Sequence, residues 1–318
     1  MEQNARIYVA GHRGLVGSAL MRALAGRGCR NLITATSAEV DLRDQAAVRR
    51  FFEEQRPEYV FVAAAKVGGI LANSRFPAEF LYDNLMIEAN LIDAAYRFAV
   101  KKLLFLGSTC IYPRAAPQPL KEEYLLTGPL EPTNEWYAVA KIAGIKLCQA
   151  YHHQHGCRFI SAMPTNLYGP YDNFDLRSSH VLPALICKFH EAKVSGVSTV
   201  EVWGTGKPQR EFCYVDDCAA ACLFLMDVYE DPDIINIGVG EDISIRDLAE
   251  LVKRVVGFTG DIVFDPSLPD GTPRKLVDVA KLFDLGWWPK TSLEEGIRRT
   301  YAWYLSQASG LKVIASRI

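Results

Sequence analysis

Two pairs of reactive side chains stand out in the 318 residues. In EWYAVAK, Tyr137 and Lys141 are four positions apart, so a helix carries both on one face. Of the fourteen tyrosines, Tyr137 alone has a lysine four residues on. In GSTCIYP, Ser108 and Cys110 place a hydroxyl and a thiol at the end of an apolar run, and in SSHVLPAL His180 precedes a helical pattern from Val181. A thiol (pKa about 8.5) and an imidazole (about 6.5) bracket neutral pH and suit taking and returning a proton. By residue type, Cys110 is also a candidate core thiol, metal ligand or disulfide half, and His180 a structural loop residue.

The other cysteines narrow those options. Cys29, Cys148, Cys157, Cys187, Cys213, Cys218 and Cys222 are scattered, form no CxxC pair, and follow no secretory leader, which argues against a disulfide framework. Cys218 and Cys222 sit in an apolar helical run as small hydrophobes. The cluster His152, His153, His155 and Cys157 closes a long helix, where imidazoles complement the C-terminal dipole. No metal is expected. With 49% hydrophobic residues, a formal charge of -2 and a pI near 6.3, the chain suits a globular protein with a sizeable core. Neither nucleic acid nor an anionic membrane is an expected partner, and no apolar run is long enough to span a bilayer. The absent leader implies a cytoplasmic setting, and the final ASRI is not taken as a targeting signal.

The elements that must position these groups alternate between short apolar runs and helical stretches. RIYVA, NLITAT, YVFVAAA, KLLFLGS and RFISAM read as strands, with helices between them. The two longest helices are expected at about 78–100 and 134–154, and the strand ending at Ser108 as the fifth. This is the pattern of an α/β fold, a doubly wound parallel sheet of Rossmann type. After PTNLYGPYDNF the texture turns to Gly, Pro and aromatics, as expected of a smaller C-terminal α/β substrate-binding lobe. Residues 1–165 and 208–240 are assigned to the dinucleotide-binding domain, and 166–207 and 241–318 to the lobe.

AGHRGLVG puts Gly11, Gly14 and Gly17 between the first strand and its helix, where backbone N–H groups can meet a pyrophosphate. This GxxGxxG spacing resembles the extended short-chain dehydrogenase/reductase superfamily. The second strand ends in neutral Thr36 and Ser37, whereas Arg13 in the loop can meet a 2′-phosphate, so NADP(H) is expected. Asp41 is expected beside the adenine. By the resemblance, Tyr137 is the acid for a carbonyl oxygen and Ser108 a second donor to it. Lys141 binds the nicotinamide ribose and lowers the tyrosine pKa by its charge.

Hydride transfer needs neither Cys110 nor His180. A ketone, however, acidifies the hydrogens on both neighbouring carbons, and inverting those centres takes one group to remove a proton and another to return it. STCIYP and SHVLPAL, with AAAKVGGI, LEPTNEWYAVAKIAGIKLC, MPTNLYGPYDNF, VWGTGKPQREF and DGTPRK, closely resemble the GDP-L-fucose synthase family. The resemblance runs from about residue 6 to 305. It implies an NADPH-dependent 3,5-epimerase/4-reductase acting on GDP-4-keto-6-deoxy-D-mannose, with Cys110 as base and His180 as acid. The NADP(H) contacts it implies are Gly11, His12, Arg13, Gly14, Leu15, Val16, Gly17, Ser37, Asp41, Leu106, Gly107, Ser108, Thr109, Lys141, Pro164, Thr165, Asn166, Leu167 and His180. Lys188, Trp203, Arg210, Asp270 and Lys275 are the implied substrate contacts, with a core position the alternative weighed for Trp203. A homodimer through the two long helices is also implied. Against a 4,6-dehydratase stands TCI where an Asp-Glu pair is usual, and against a 4-epimerase the missing acid after strand two. A non-catalytic NADP-sensing protein would tend to lack the Tyr–Lys pair.

Overall fold

The protein is described by a computed structural model covering residues 1–268 and 270–315. Pro269 and the last three residues of the expected lobe lie outside the described residues. The elements run β1 (Ile7–Ala10), α1 (Leu15–Gly26), β2 (Leu32–Ile33), α2 (Gln45–Gln55), β3 (Tyr59–Val62), α3 (Ile70–Arg75), α4 (Pro77–Arg97) and β4 (Lys102–Leu106). After these come α5 (Glu135–His155), β5 (Phe159–Pro164), β6 (Asn166–Tyr168), α6 (Val181–Ser195), β7 (Thr199–Trp203), β8 (Gln209–Arg210), β9 (Phe212–Tyr214) and α7 (Val215–Val228). The remainder is β10 (Ile235–Ile237), β11 (Ile243–Ser244), α8 (Ile245–Val256), β12 (Asp261–Asp265), β13 (Arg274–Lys275), α9 (Ala280–Asp284) and α10 (Leu293–Ala315).

The main sheet has the order β10-β5-β4-β3-β1-β2 and is parallel throughout. All its strands but the half-buried edge strand β2 are buried on both faces, because alternate residues feed two cores. Ile7 and Val9 pack with Leu20, Leu24 and the α7 residues Cys218 and Cys222 on one side. Tyr8 and Ala10 pack with Phe52 of α2, Leu91 of α4 and Ile145 of α5 on the other. Strand order reverses between β1 and β3, which opens a cleft outside their carboxyl ends.

Beyond the sheet, α6, α8 and β7 surround a third core with Tyr168, Phe189 and Leu248. There β12 pairs with β7, and β11, β8 and β13 form a small sheet. The chain returns to the main sheet through α7 and β10, and β6 pairs with β9. The strand leading to Ser108 is the fourth of the chain rather than the fifth. NLITAT yields only Leu32–Ile33, because the Thr36 backbone N–H turns aside to donate to Glu39 Oε2 (2.7 Å).

Candidate active site

The glycine loop is built around its tightest approach. A Cβ on Gly17 would lie 2.0 Å from the Gly11 carbonyl oxygen, and Gly11 adopts φ +83° against the chain following β3. Side chains are excluded there, and the loop is closed by Gly14 N–H donating to Gly11 O (3.0 Å). The α1 N-terminus has no side-chain cap, so its first-turn N–H groups remain for an anion. Arg13 is exposed, and His12 Nδ1 is buried without a partner among the described residues. These features fit a dinucleotide pyrophosphate. Leu15 and Val16 pack against the core, and Ser37 is exposed. Asp41 is held to about 2 by the guanidinium of Arg43, which donates to both its oxygens. An acid does stand after β2: Glu39, overlooked in the sequence, lies close enough to Arg13 and His12 for their charges to act on it.

At the end of β4, Gly107 sits where a Cβ would strike Met163. Ser108 is extended, and its Oγ accepts from Cys110 N–H (3.4 Å) at the start of a single turn, Thr109–Ile111. Both Thr109 and Cys110 are buried. Burial pushes the Cys110 thiol up, against the charge of Lys275, the Ser108 hydrogen bond and Lys141. On α5, the Lys141 ammonium donates to Leu106 O (2.9 Å) and lies 2.9 Å from Glu88 Oε1 of α4. It stands 5.8 Å from the Tyr137 ring centroid. The expected lowering of the phenol is not met: burial pushes Tyr137 well above its ordinary range, with Cys110 and Glu88 adding to it.

His180 caps α6 by position but not by hydrogen bond, and it is exposed. The surrounding walls, and then Lys275, hold the imidazole below its usual pKa. The bracket around neutrality is therefore wider than the residue types imply, thiol up and imidazole down. Pro164 ends β5, Thr165 N–H donates to Ile237 O (2.9 Å), and Asn166 Nδ2 donates to Glu211 O (2.7 Å), with Leu167 packed below.

Lys275 pairs in register with Arg210 across β13 and β8, and both are pulled down by burial. Asp270 accepts from Thr205 N–H (2.7 Å) and Oγ (2.8 Å). Lys188 donates to Glu201 O (2.9 Å) and stands 5.7 Å from the Trp203 ring centroid. Trp203 is 46% exposed, so its reading as core is wrong: on β7 it alternates outward. The wholly buried Glu211, also overlooked, accepts from Val239 N–H (2.6 Å), Gly240 N–H (2.8 Å) and Val277 N–H (3.0 Å). It ties the chain after β10 to the chain after β13. Its only signal was a charge inside KPQREF. His152 Nδ1 contacts Cys157 O (3.0 Å), and His155 stacks on Tyr96.

Residues 7–238 match the NAD dependent epimerase/dehydratase family. The GDP-L-fucose synthase 1 of Arabidopsis thaliana is 60% identical, covering 96% of this chain and 94% of its own. That of Escherichia coli K12 is 53% identical, covering 94% and 96%. A GDP-L-fucose synthetase structure from Naegleria fowleri bound to NADP superposes with a TM-score of 0.92 at 35% identity, covering 97% and 95%. The chain belongs to the NAD dependent epimerase/dehydratase family, and within it to the GDP-L-fucose synthases.

Proposed function

We propose that this enzyme converts GDP-4-keto-6-deoxy-D-mannose to GDP-L-fucose, inverting C3 and C5 and then reducing C4. One observation carries the reading. Ser108 Oγ accepts from Cys110 N–H just past β4, while Lys141, 5.8 Å from the Tyr137 ring centroid, donates to Leu106 O at the end of that strand, so the thiol turn and the Tyr–Lys pair meet at one strand end. Cys110 removes the proton beside the ketone, and Ser108 and Tyr137 hydrogen-bond the oxygen as it gains enolate charge. His180 returns a proton to the opposite face. Tyr137 later gives its proton to O4. NADPH, held by the glycine loop with Arg13, supplies the hydride when bound. Epimerisation comes first because a reduced C4 no longer acidifies its neighbours.

Lys188, Trp203, Asp270 and Lys275, on residues 166–207 and 241–318, are assigned to the GDP-sugar together with Arg210, which lies at the start of 208–240. The remaining segments, 1–165 and 208–240, are assigned to NADP(H). A homodimer through α4 and α5 is supported by the exposed Tyr82 and Trp136. The test mixes protein, NADPH and GDP-4-keto-6-deoxy-D-mannose in deuterated water. Wild type should consume NADPH and carry deuterium at C3 and C5. Cys110→Ser should lose at least about a hundredfold in wash-in, and unchanged wash-in refutes the base assignment.

A further inference from the structure

A carboxylate stands behind the Tyr–Lys pair where the proposed chemistry does not require one. Glu88 lies on α4 at 1% exposure, facing α5. Its Oε1 is 2.9 Å from Lys141 Nζ, and among the described residues neither oxygen has a hydrogen-bond donor besides that ammonium. Burying a carboxylate is costly unless its charge is matched, and removing one partner of such a pair leaves the other uncompensated. The opposing helix makes room for it: a Cβ on Gly144 would lie 2.7 Å from Glu88 Oε2 and 2.5 Å from the Phe105 ring. Two positions on two helices thus serve a single contact.

Lys141 does not need Glu88 to be anchored. The Leu106 carbonyl already accepts from it, and the Phe105 ring lies 4.6 Å away. What the carboxylate adds is charge. We infer that Glu88 is a positioning residue of the reductase centre: its buried carboxylate offsets the charge of the Lys141 ammonium behind Tyr137, so that the phenol keeps its proton until the substrate oxygen takes it. This rests on the proposed role of Tyr137 as proton donor. An uncompensated ammonium beside the phenol would favour the phenolate, the form with no proton to give. The other ionisable groups facing the pair are Cys148 of α5, Cys110 after β4 and, through Cys110, Lys275 of β13. Burial raises the Glu88 carboxyl while Lys141 opposes that rise, and the Glu88 charge in turn helps to raise Tyr137.

The test is a pH titration of protein carrying ring-carbon-13 tyrosine, with the Tyr137 resonance assigned as the one missing from Tyr137→Phe. Wild type, Glu88→Asp and the nearly isosteric Glu88→Gln are compared without substrate or cofactor. The Tyr137 midpoint should fall by about one pH unit in Glu88→Gln, and partway in Glu88→Asp, whose carboxylate is drawn back by one methylene. Should Glu88→Gln not fold, the partial fall in Glu88→Asp carries the test. A Tyr137 carbon that titrates alike in wild type and the folded variants, or in none over the range in which the fold survives, overturns the inference. Wild type that fails to reduce GDP-4-keto-6-deoxy-D-mannose would sink the functional proposal, while the lowered midpoint would still establish the charge coupling of Glu88 to Tyr137.

Discussion

Glu211→Gln should destabilise the fold and loosen the substrate site. The wild-type carboxylate accepts three backbone N–H groups, two on Oε1 and one on Oε2. Hydrogen bonds to a charged acceptor contribute ~1.5–3 kcal/mol each and neutral ones ~1 kcal/mol. A glutamine keeps its carbonyl oxygen toward Val239 and Gly240 but weakens both bonds. Its NH2 then faces the Val277 N–H, donor against donor, and that bond is lost. The gross cost is ~3–5 kcal/mol. Part returns because burial already holds Glu211 above the carboxylate range, so removing the charge relieves a desolvation cost. A net loss of ~3 kcal/mol lowers the melting temperature by roughly 4–5 °C in a chain of 318 residues. Lys275 O also accepts from Glu211 N–H (3.3 Å), so the same change disturbs the strand pair bearing Arg210 and Lys275. The expected result is a raised KM for the GDP-sugar, with NADP+ affinity less affected, read by calorimetry and steady-state kinetics. A melting temperature within about 1 °C of wild type would refute the reasoning.

Lys275→Met removes a cation that lowers both Cys110 and His180, so both groups should titrate higher. The acid limb of deuterium wash-in, which reports Cys110 as base, should move to higher pH, and each pH unit it moves should cost about tenfold in rate at neutral pH; an unmoved limb refutes the electrostatic role. In sedimentation, wild type should run at twice the chain mass, and Tyr82→Glu combined with Trp136→Asp should run as a monomer, since both aromatics are exposed on α4 and α5. A wild-type monomer would dismiss the dimer.

The parallel sheet was legible because its strands other than β2 are continuous apolar runs, buried on both faces, between helices with clear stops. Gly156 ends α5 in the left-handed conformation, as the sequence HHQHG suggests. Where polar residues entered a run, the reading overshot. The Thr–Ala–Thr end of NLITAT stays outside the ladder that pairs Leu32 and Ile33 with Ile7 and Tyr8, and Glu39 captures the Thr36 N–H and hydroxyl instead. The small sheet of β8, β11 and β13 escaped notice because each strand is two residues long. No period can be read from two residues, and only pairing across more than thirty positions creates them.

The site divides along the same line. Residues inside contiguous motifs could be named from their types, whereas their charge partners could not. Glu88, Glu39 and Glu211 sit in segments whose spacing signals only helix or loop. The thiol and imidazole show why the partners matter. At their ordinary values the two groups bracket neutrality closely, but the fold buries the thiol, crowds the imidazole and drives them apart. Lys275 acts on both in one direction, and that direction suits opposite duties. A nearby cation makes a thiol easier to deprotonate, which a base needs. It also makes an imidazolium readier to release its proton, which an acid needs. A single ammonium can therefore assist both proton transfers, whereas a carboxylate at that position would oppose both.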